Sequence, residues 1–352
     1  MTGKERVRAA LEHRPGDRTA ITFDAEKEVY AALKQRFGVE TKEALFDRLH
    51  VDTWLVGPGP GTKPERPRAE GESMWGFRTR TVEYVGGSYG ELCYSPLAGK
   101  DELSDIRQHA WPGPEELSFA GMPAEIAAHQ ERAIIGHFTW GAYFLATYIR
   151  GMENLLLDLA LRKDYAACLF ETIADCSQAY LEKMLKEGGA GLDIVYMADD
   201  YCSQLGPMFS PECFKEFVAP YLRRMVETAH RHDKKFLLHC CGAVRPLLPQ
   251  IIAAGVDMLE PIQVRAAGME PEGLKRDFGR DLCFYGGVDL QEILRSSEPE
   301  RVADEVRRLI DILGRDGGYV LGPGHTYIQV DAPVENIVTM YETADQYRPW
   351  KN

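Results

Sequence analysis

No apolar run in this chain approaches the roughly 18 residues that a membrane span requires, and no cluster of lysine and arginine forms the basic stripe needed to track a phosphate backbone. The opening residues, Met1 to Arg8, contain no apolar h-region of a signal peptide. Internal repeats, low-complexity tracts and coiled-coil heptads are absent as well. The eight cysteines are scattered along the chain, so reduced thiols are expected and not a disulfide framework. With a net charge of -13, the chain is a poor partner for nucleic acid or an anionic membrane. These absences leave the expectation of a cytoplasmic protein that meets a small molecule. What is present is length and apolar content: 352 residues at 45% hydrophobic can bury a large core.

Short apolar runs rich in β-branched and aromatic residues alternate with longer amphipathic stretches, the pattern of βα units around a parallel sheet. Eight runs read as strands, at 20–24, 52–57, 133–138, 193–198, 235–239, 256–260, 282–286 and 318–322. Segments 151–162, 211–230, 244–254, 268–278, 290–296 and 299–314 read as crossover helices. Eight strands predict an α/β fold with a single (β/α)8 TIM barrel spanning residues 1–352. One interval, 75–97, breaks the pattern: Thr79 to Val85 alternates, Gly86-Gly87 follows, and Leu92-Cys93-Tyr94 returns, so an inserted β-hairpin is expected there. Pro-rich flanks at 58–67 and 112–123 mark it as an excursion over the barrel.

The most informative stretch is His239-Cys240-Cys241-Gly242, directly after the apolar Phe236-Leu237-Leu238. In an extended chain side chains alternate, so His239 and Cys241 share a side and can grip one ion while Cys240 points away. Packing of small apolar thiols at a strand end is the competing reading. Polar residues follow most of the other strands too, and in a barrel those ends converge on one face: Asp24, His137 with Thr139 and Trp140, Asp199-Asp200, Glu260 with Gln263, Asp289, and the turn Gly322-Pro323-Gly324-His325. His325 and Glu260 are candidates to complete a metal set with His239 and Cys241. Three protein ligands and one open position form the catalytic pattern of zinc, and mixed sulfur and imidazole favour zinc over magnesium or calcium. Asp199 and Asp200 are candidate catalytic residues that would hold substrate or supply a base, unless one of them caps a turn. His137, Trp140, Tyr143, Gln204, Gln263 and Asp289 are candidate substrate contacts, with core packing the alternative for the aromatic residues.

The stretch His239 to Pro249 followed by Ala254 to Gln263 resembles the uroporphyrinogen decarboxylase superfamily, and within it the zinc-dependent corrinoid methyltransferase branch. Arg6 to Leu11 with Pro15 to Arg18, Tyr148 to Glu153, Ala198-Asp199-Asp200 with Gln204, Ser210-Pro211-Glu212, and the segments Gly317 to Leu321 and Asp331 to Ile337 extend that resemblance along nearly the whole chain. It implies a (β/α)8 barrel, in agreement with the strand count. Family decarboxylases carry an arginine-rich segment that holds porphyrinogen carboxylates. The corresponding Phe23 to Glu28 here has no arginine, so decarboxylation of uroporphyrinogen is not expected.

The methyltransferase branch is similar in holding zinc by a His-x-Cys pair and a later cysteine. The pair matches His239 and Cys241, while His325 stands where the later cysteine belongs. Imidazole in place of thiolate leaves the ion a stronger Lewis acid. The resemblance thus implies methyl transfer from a small methoxylated donor to the cobalt of a separate corrinoid protein, in a chain that pairs with itself if it follows similar barrels. Three other readings stay open: methyl transfer from a corrinoid to a thiol, metal-free decarboxylation of a small acid, and a binding protein that kept the barrel without its chemistry.

Overall fold

The computed structural model describes residues 1–61, 68–84, 87–189 and 191–350. Its centre is one eight-stranded, all-parallel sheet: β1 Ala20–Ile21, β2 Thr53–Val56, β3 Ala133–Trp140, β4 Ile194–Ala198, β5 Lys235–His239, β6 Met258–Glu260, β7 Cys283–Tyr285 and β8 Tyr319–Leu321. Neighbours follow chain order from β2 to β8, and β8 pairs with β1. Among the described residues no ladder joins β1 to β2, and Asp52 closes that seam. Its backbone N–H donates to Ile21 O at 2.8 Å, and its carboxylate accepts the Ile21 N–H at 2.8 Å. That carboxylate is buried at the seam, where Arg18 and Arg6 pair with it at 2.6 and 3.0 Å. The result is a nearly closed TIM barrel, and each of its strands falls within or against an apolar run expected to form one.

Strand alternation sorts the side chains into two cores. Inward-facing Ala133, Ile135, Ile194, Leu237, Met258 and Val320 pack together in the lower barrel, and Val7 and Ala10 of the helix Gly3–Leu11 join them from below. That helix starts on a capping box in which Thr2 and Glu5 satisfy each other's backbone N–H groups. Outward-facing residues such as Ile134, Val195, Phe236, Leu238 and Phe284 pack under the surrounding helices. The helix Lys163–Gly188 buries Leu169, Phe170, Ile173 and Leu181 in this outer core.

Between β2 and β3 the chain leaves the barrel. Strands Arg78–Tyr84 and Gly87–Tyr94 pair antiparallel there, while the residues joining them, 85–86, and residues 62–67 of the Pro-rich flank lie outside the described residues. The chain is drawn back by Arg150, a fully buried guanidinium at the end of the helix Ala142–Arg150. It donates to the carbonyls of Leu97 and Lys100, to Asp101 at 2.8 Å and to buried Asp158 at 2.8 Å. Among the described residues no helix is long and apolar enough to cross a membrane.

One expected helix is absent. Residues 290–295 form successive turns because the Asp289 carboxylate collects the N–H groups of Gln291 at 2.9 Å and Glu292 at 3.3 Å, winding the chain around itself instead of into an α-helix.

Candidate metal centre and cavity

At the C-terminal ends of the strands lies a cavity of about 440 Å3, lined by residues from all around the barrel, among them Asp24, His137, Asp200, His239, Cys241 and His325. The register of β4, β5 and β6 builds one wall. Ala198, His239 and Glu260 sit side by side across the three strands, and all three line the cavity. Alternation then places His239 and Cys241 inward, while Cys240 is fully buried in the outer core. The same rule separates the two adjacent aspartates: Asp200 lines the cavity and Asp199 does not.

His239, Cys241 and Asp200 each present a ligand atom, all within 4.8 Å of one another. His239 Nε2 lies 3.3 Å from Cys241 Sγ and 3.5 Å from Asp200 Oδ1. Zinc bond lengths with tetrahedral angles put neighbouring ligand atoms about 3.3–3.6 Å apart, so these spacings and this donor set fit one such ion. The opposite ring nitrogen, Nδ1, faces Glu260 Oε2 at 3.4 Å and Thr326 Oγ at 3.2 Å. Burial alone would lower the basicity of His239, but the Glu260 carboxylate and the Cys241 sulfur raise it well above the ordinary histidine value. Burial pushes the Cys241 thiol up, against the effect of His239. The loop is stiffened by the Cys241 N–H, which donates to Asp200 Oδ1 at 2.8 Å.

The cluster of possible ligand atoms differs from the expected one: Asp200, expected as a catalytic residue, stands with His239 and Cys241. Glu260 lies behind the imidazole, in the position of a carboxylate that orients a metal-bound histidine. His325 is outside the cluster, its ring centre 6.4 Å from that of His239 and its Nδ1 facing the Tyr327 N–H at 3.4 Å. Thr326, the next residue, reaches His239 instead. The turn decides which of two adjacent cavity-lining residues reaches His239, and no periodicity in the sequence reports that.

Asp199 is occupied elsewhere. Its Oδ1 accepts the Phe144 N–H at 2.6 Å, capping the helix Ala142–Arg150, and it packs so tightly on Gly141 that a Cβ there would lie 2.2 Å from the carboxyl carbon. Burial raises its pKa to about 7. Tyr143 is buried beside Tyr201 and Phe209, off the cavity wall. Gln204, Gln263 and Asp289 line a second, more polar depression of about 250 Å3 next to the first, with His325 shared between the two. There the Asp289 carboxylate is taken up by Arg265 at 2.6 Å and by the turn it nucleates.

His137 and Trp140 do reach the cavity. Burial lowers His137 to a pKa of about 4, so its imidazole is neutral. Trp140 stays 39% exposed at the mouth and packs on Phe144. Opposite the metal wall, at the end of β1, burial pushes the Asp24 carboxyl up to about 6 while its Oδ1 accepts the Ala25 N–H and the Tyr30 hydroxyl. Tyr196, Tyr285 and Lys42 also line the cavity without having been singled out. For Tyr196 the parity of β4, shared with Ala198, was a readable signal.

The model of the family described as uroporphyrinogen decarboxylase (URO-D) matches residues 101–347. The chain belongs to the uroporphyrinogen decarboxylase family. The chloroplastic uroporphyrinogen decarboxylase of Zea mays is 26% identical over 270 residues, which is 74% of this chain and 64% of the maize protein, so the match spans less than two thirds of that relative. The methylcobamide:CoM methyltransferase MtbA of Methanosarcina acetivorans is 22% identical over 222 residues, 62% of this chain and 60% of that protein. A solved structure described as a methyltransferase from Methanosarcina mazei superposes with a TM-score of 0.71 over 98% of both chains at 18% identity, which places this URO-D member in the same fold.

Proposed function

We propose that this URO-D family member is a zinc-dependent methyltransferase that moves a methyl group from a small methoxylated donor to a corrinoid carried by a separate protein. The observation that carries the reading is the convergence of His239 Nε2, Cys241 Sγ and Asp200 Oδ1 on one wall of the cavity. Zinc held by these three would supply a Lewis acid at an open fourth position. The methyltransferases among the relatives support the reaction class, and their name pairs a methylcobamide with CoM. The carboxylate oxygen in this ligand set makes the centre harder than one dominated by thiolates, which suits an oxygen donor better than a thiol.

The chain's own groups fit that role. Glu260 and Thr326 hold His239 Nδ1 and leave Nε2 for the ion. Neutral His137 offers a hydrogen bond to the donor within the cavity, and Trp140 and Phe144 give an apolar surface at the mouth. Asp24, with a pKa of about 6, holds or releases a proton near neutrality at the far wall. A porphyrinogen rich in carboxylates suits this cavity poorly. Asp24, Asp200 and Glu260 line it, and apart from the imidazoles Lys42 is the one cationic side chain among the described residues lining it.

Elemental analysis of the purified protein tests the proposal. About one zinc per chain, lost in His239→Ala, Cys241→Ala and Asp200→Ala but kept in His325→Ala, is the expected result. Methoxylated compounds are then screened for conversion of cob(I)alamin to methylcobalamin by absorbance. A wild-type protein that takes up no zinc when zinc is supplied would overturn the proposal. Methyl loss from methylcobalamin to a thiol, with no reaction toward methoxylated donors, would reverse its direction.

A further inference from the structure

Gln263 follows β6 on the loop beside the metal wall, and its side-chain amide has one orientation that satisfies its neighbours. Its Oε1 accepts the Gly242 N–H at 2.8 Å and the Gln204 Nε2–H at 2.9 Å. Turning the amide over would set N–H against N–H at the Gly242 contact. Gly242 cannot swing aside to permit it. Its φ is +87°, a Cβ would lie 2.4 Å from Ser203 O, and the next residue, Ala243, donates its own N–H to that carbonyl at 2.8 Å. With the oxygen committed, Gln263 Nε2 is left facing Cys241 Sγ at 3.5 Å.

We infer that Gln263 is a positioning residue that donates an N–H···S hydrogen bond to the Cys241 sulfur and so sets how much electron density that thiolate gives to a bound metal. The inference rests on the metal reading above. A hydrogen bond to a charged acceptor is among the stronger kinds, and partners behind the ligands tune the ion they do not touch. The sulfur shares its lone pairs with the amide proton, donates less to the ion, and leaves the open position more electron-poor toward a donor oxygen. Gln204, donating to the same Oε1, fixes the amide from the other side. A glutamine expected at the substrate is thereby assigned to the ligand.

Cobalt(II) in place of zinc gives a readout that does not depend on turnover, because the sulfur-to-cobalt charge-transfer band reports the electron density on the thiolate. Wild type is compared with Gln263→Glu, which keeps an oxygen for the Gly242 N–H and removes the donor, and with Gln263→Leu, which removes both. The expected result is cobalt bound by all three and a band displaced to longer wavelength in both variants at unchanged intensity. Displacement in Gln263→Leu alone, or in neither, would overturn the inference, since a residue that only holds Gly242 behaves normally as glutamate. Cobalt lost from both variants would assign Gln263 to holding the loop and would overturn it as well. A wild-type protein that binds no cobalt would overturn this inference and the proposed function together, an outcome distinct from the others.

Discussion

Asp199 and Asp200 are adjacent in sequence and opposite in consequence, and substituting them separately tests the whole account of the site. Asp199→Ala removes the carboxylate that caps the helix Ala142–Arg150 and leaves the part-buried Phe144 N–H, now bonded at 2.6 Å, without that partner, a loss of about 1–3 kcal/mol. Asp199→Asn keeps an oxygen for that N–H and no longer buries an ionisable group, so it is expected to stay within about 1 kcal/mol of wild type. Asp200 is part-exposed, so Asp200→Ala is expected to cost less stability while abolishing metal uptake. The assay is urea unfolding followed by far-UV circular dichroism, with the midpoint shift scaled by a common slope, and metal content measured on the same samples. An Asp199→Ala protein of wild-type stability that had lost its metal would refute the assignment of Asp199 to the helix and of Asp200 to the ion.

Three further outcomes follow from the structure. Arg150→Ala should cost about 3 kcal/mol, near the lower end for breaking a buried ion pair, because Arg162 still reaches Asp158 at 2.6 Å; thermal unfolding measures it, and Arg150→Met with Asp158→Leu should recover much of the loss. Gly242→Ala should lose about 1–3 kcal/mol to backbone strain and reduce metal uptake, as its methyl would displace the Ser203 carbonyl; an unaffected protein in unfolding and metal assays would contradict the loop geometry. Asp24 is raised by burial from 3.8 to about 6, so the folded state holds the proton more tightly than the unfolded chain. Its contribution is present below the unfolded value and is lost as pH rises through about 6. Asp24→Asn lacks that loss, and melting curves taken from pH 4 to 7 should show the difference moving in the variant's favour by at most about 3 kcal/mol.

The barrel was legible because each strand is a short apolar run, buried on both faces as a parallel sheet demands. His239 and Cys241 were legible for a related reason: their spacing of two survives any reasonable placement of β5, and so does the exile of Cys240. What could not be read were the positions where a loop chooses between neighbours. Asp199 and Asp200 lie past the end of β4, and although its parity, carried on through Tyr196 and Ala198, points Asp200 inward, nothing in the sequence shows that Gly141 makes room for Asp199. His325 looked like a ligand because glycines surround it, yet the turn presents Thr326 to His239. The segment 290–296 had helical spacing, but Asp289 offered its backbone N–H groups a better local partner, a competition between side chain and helix that periodicity does not score.

The helix Gly3–Leu11 stoppers the barrel from below, with Val7 and Ala10 seated among the strand side chains. Among the described residues the lower barrel is filled, so the cavity is closed from below, and Trp140 stands exposed at its mouth. A molecule as large as a protein-borne cofactor, seated on the rim, would cork it. Under the proposed reaction the small donor must therefore load first and its demethylated remnant must wait for the partner to lift away, so traffic at the rim, and not a tunnel through the barrel, would set the order of events.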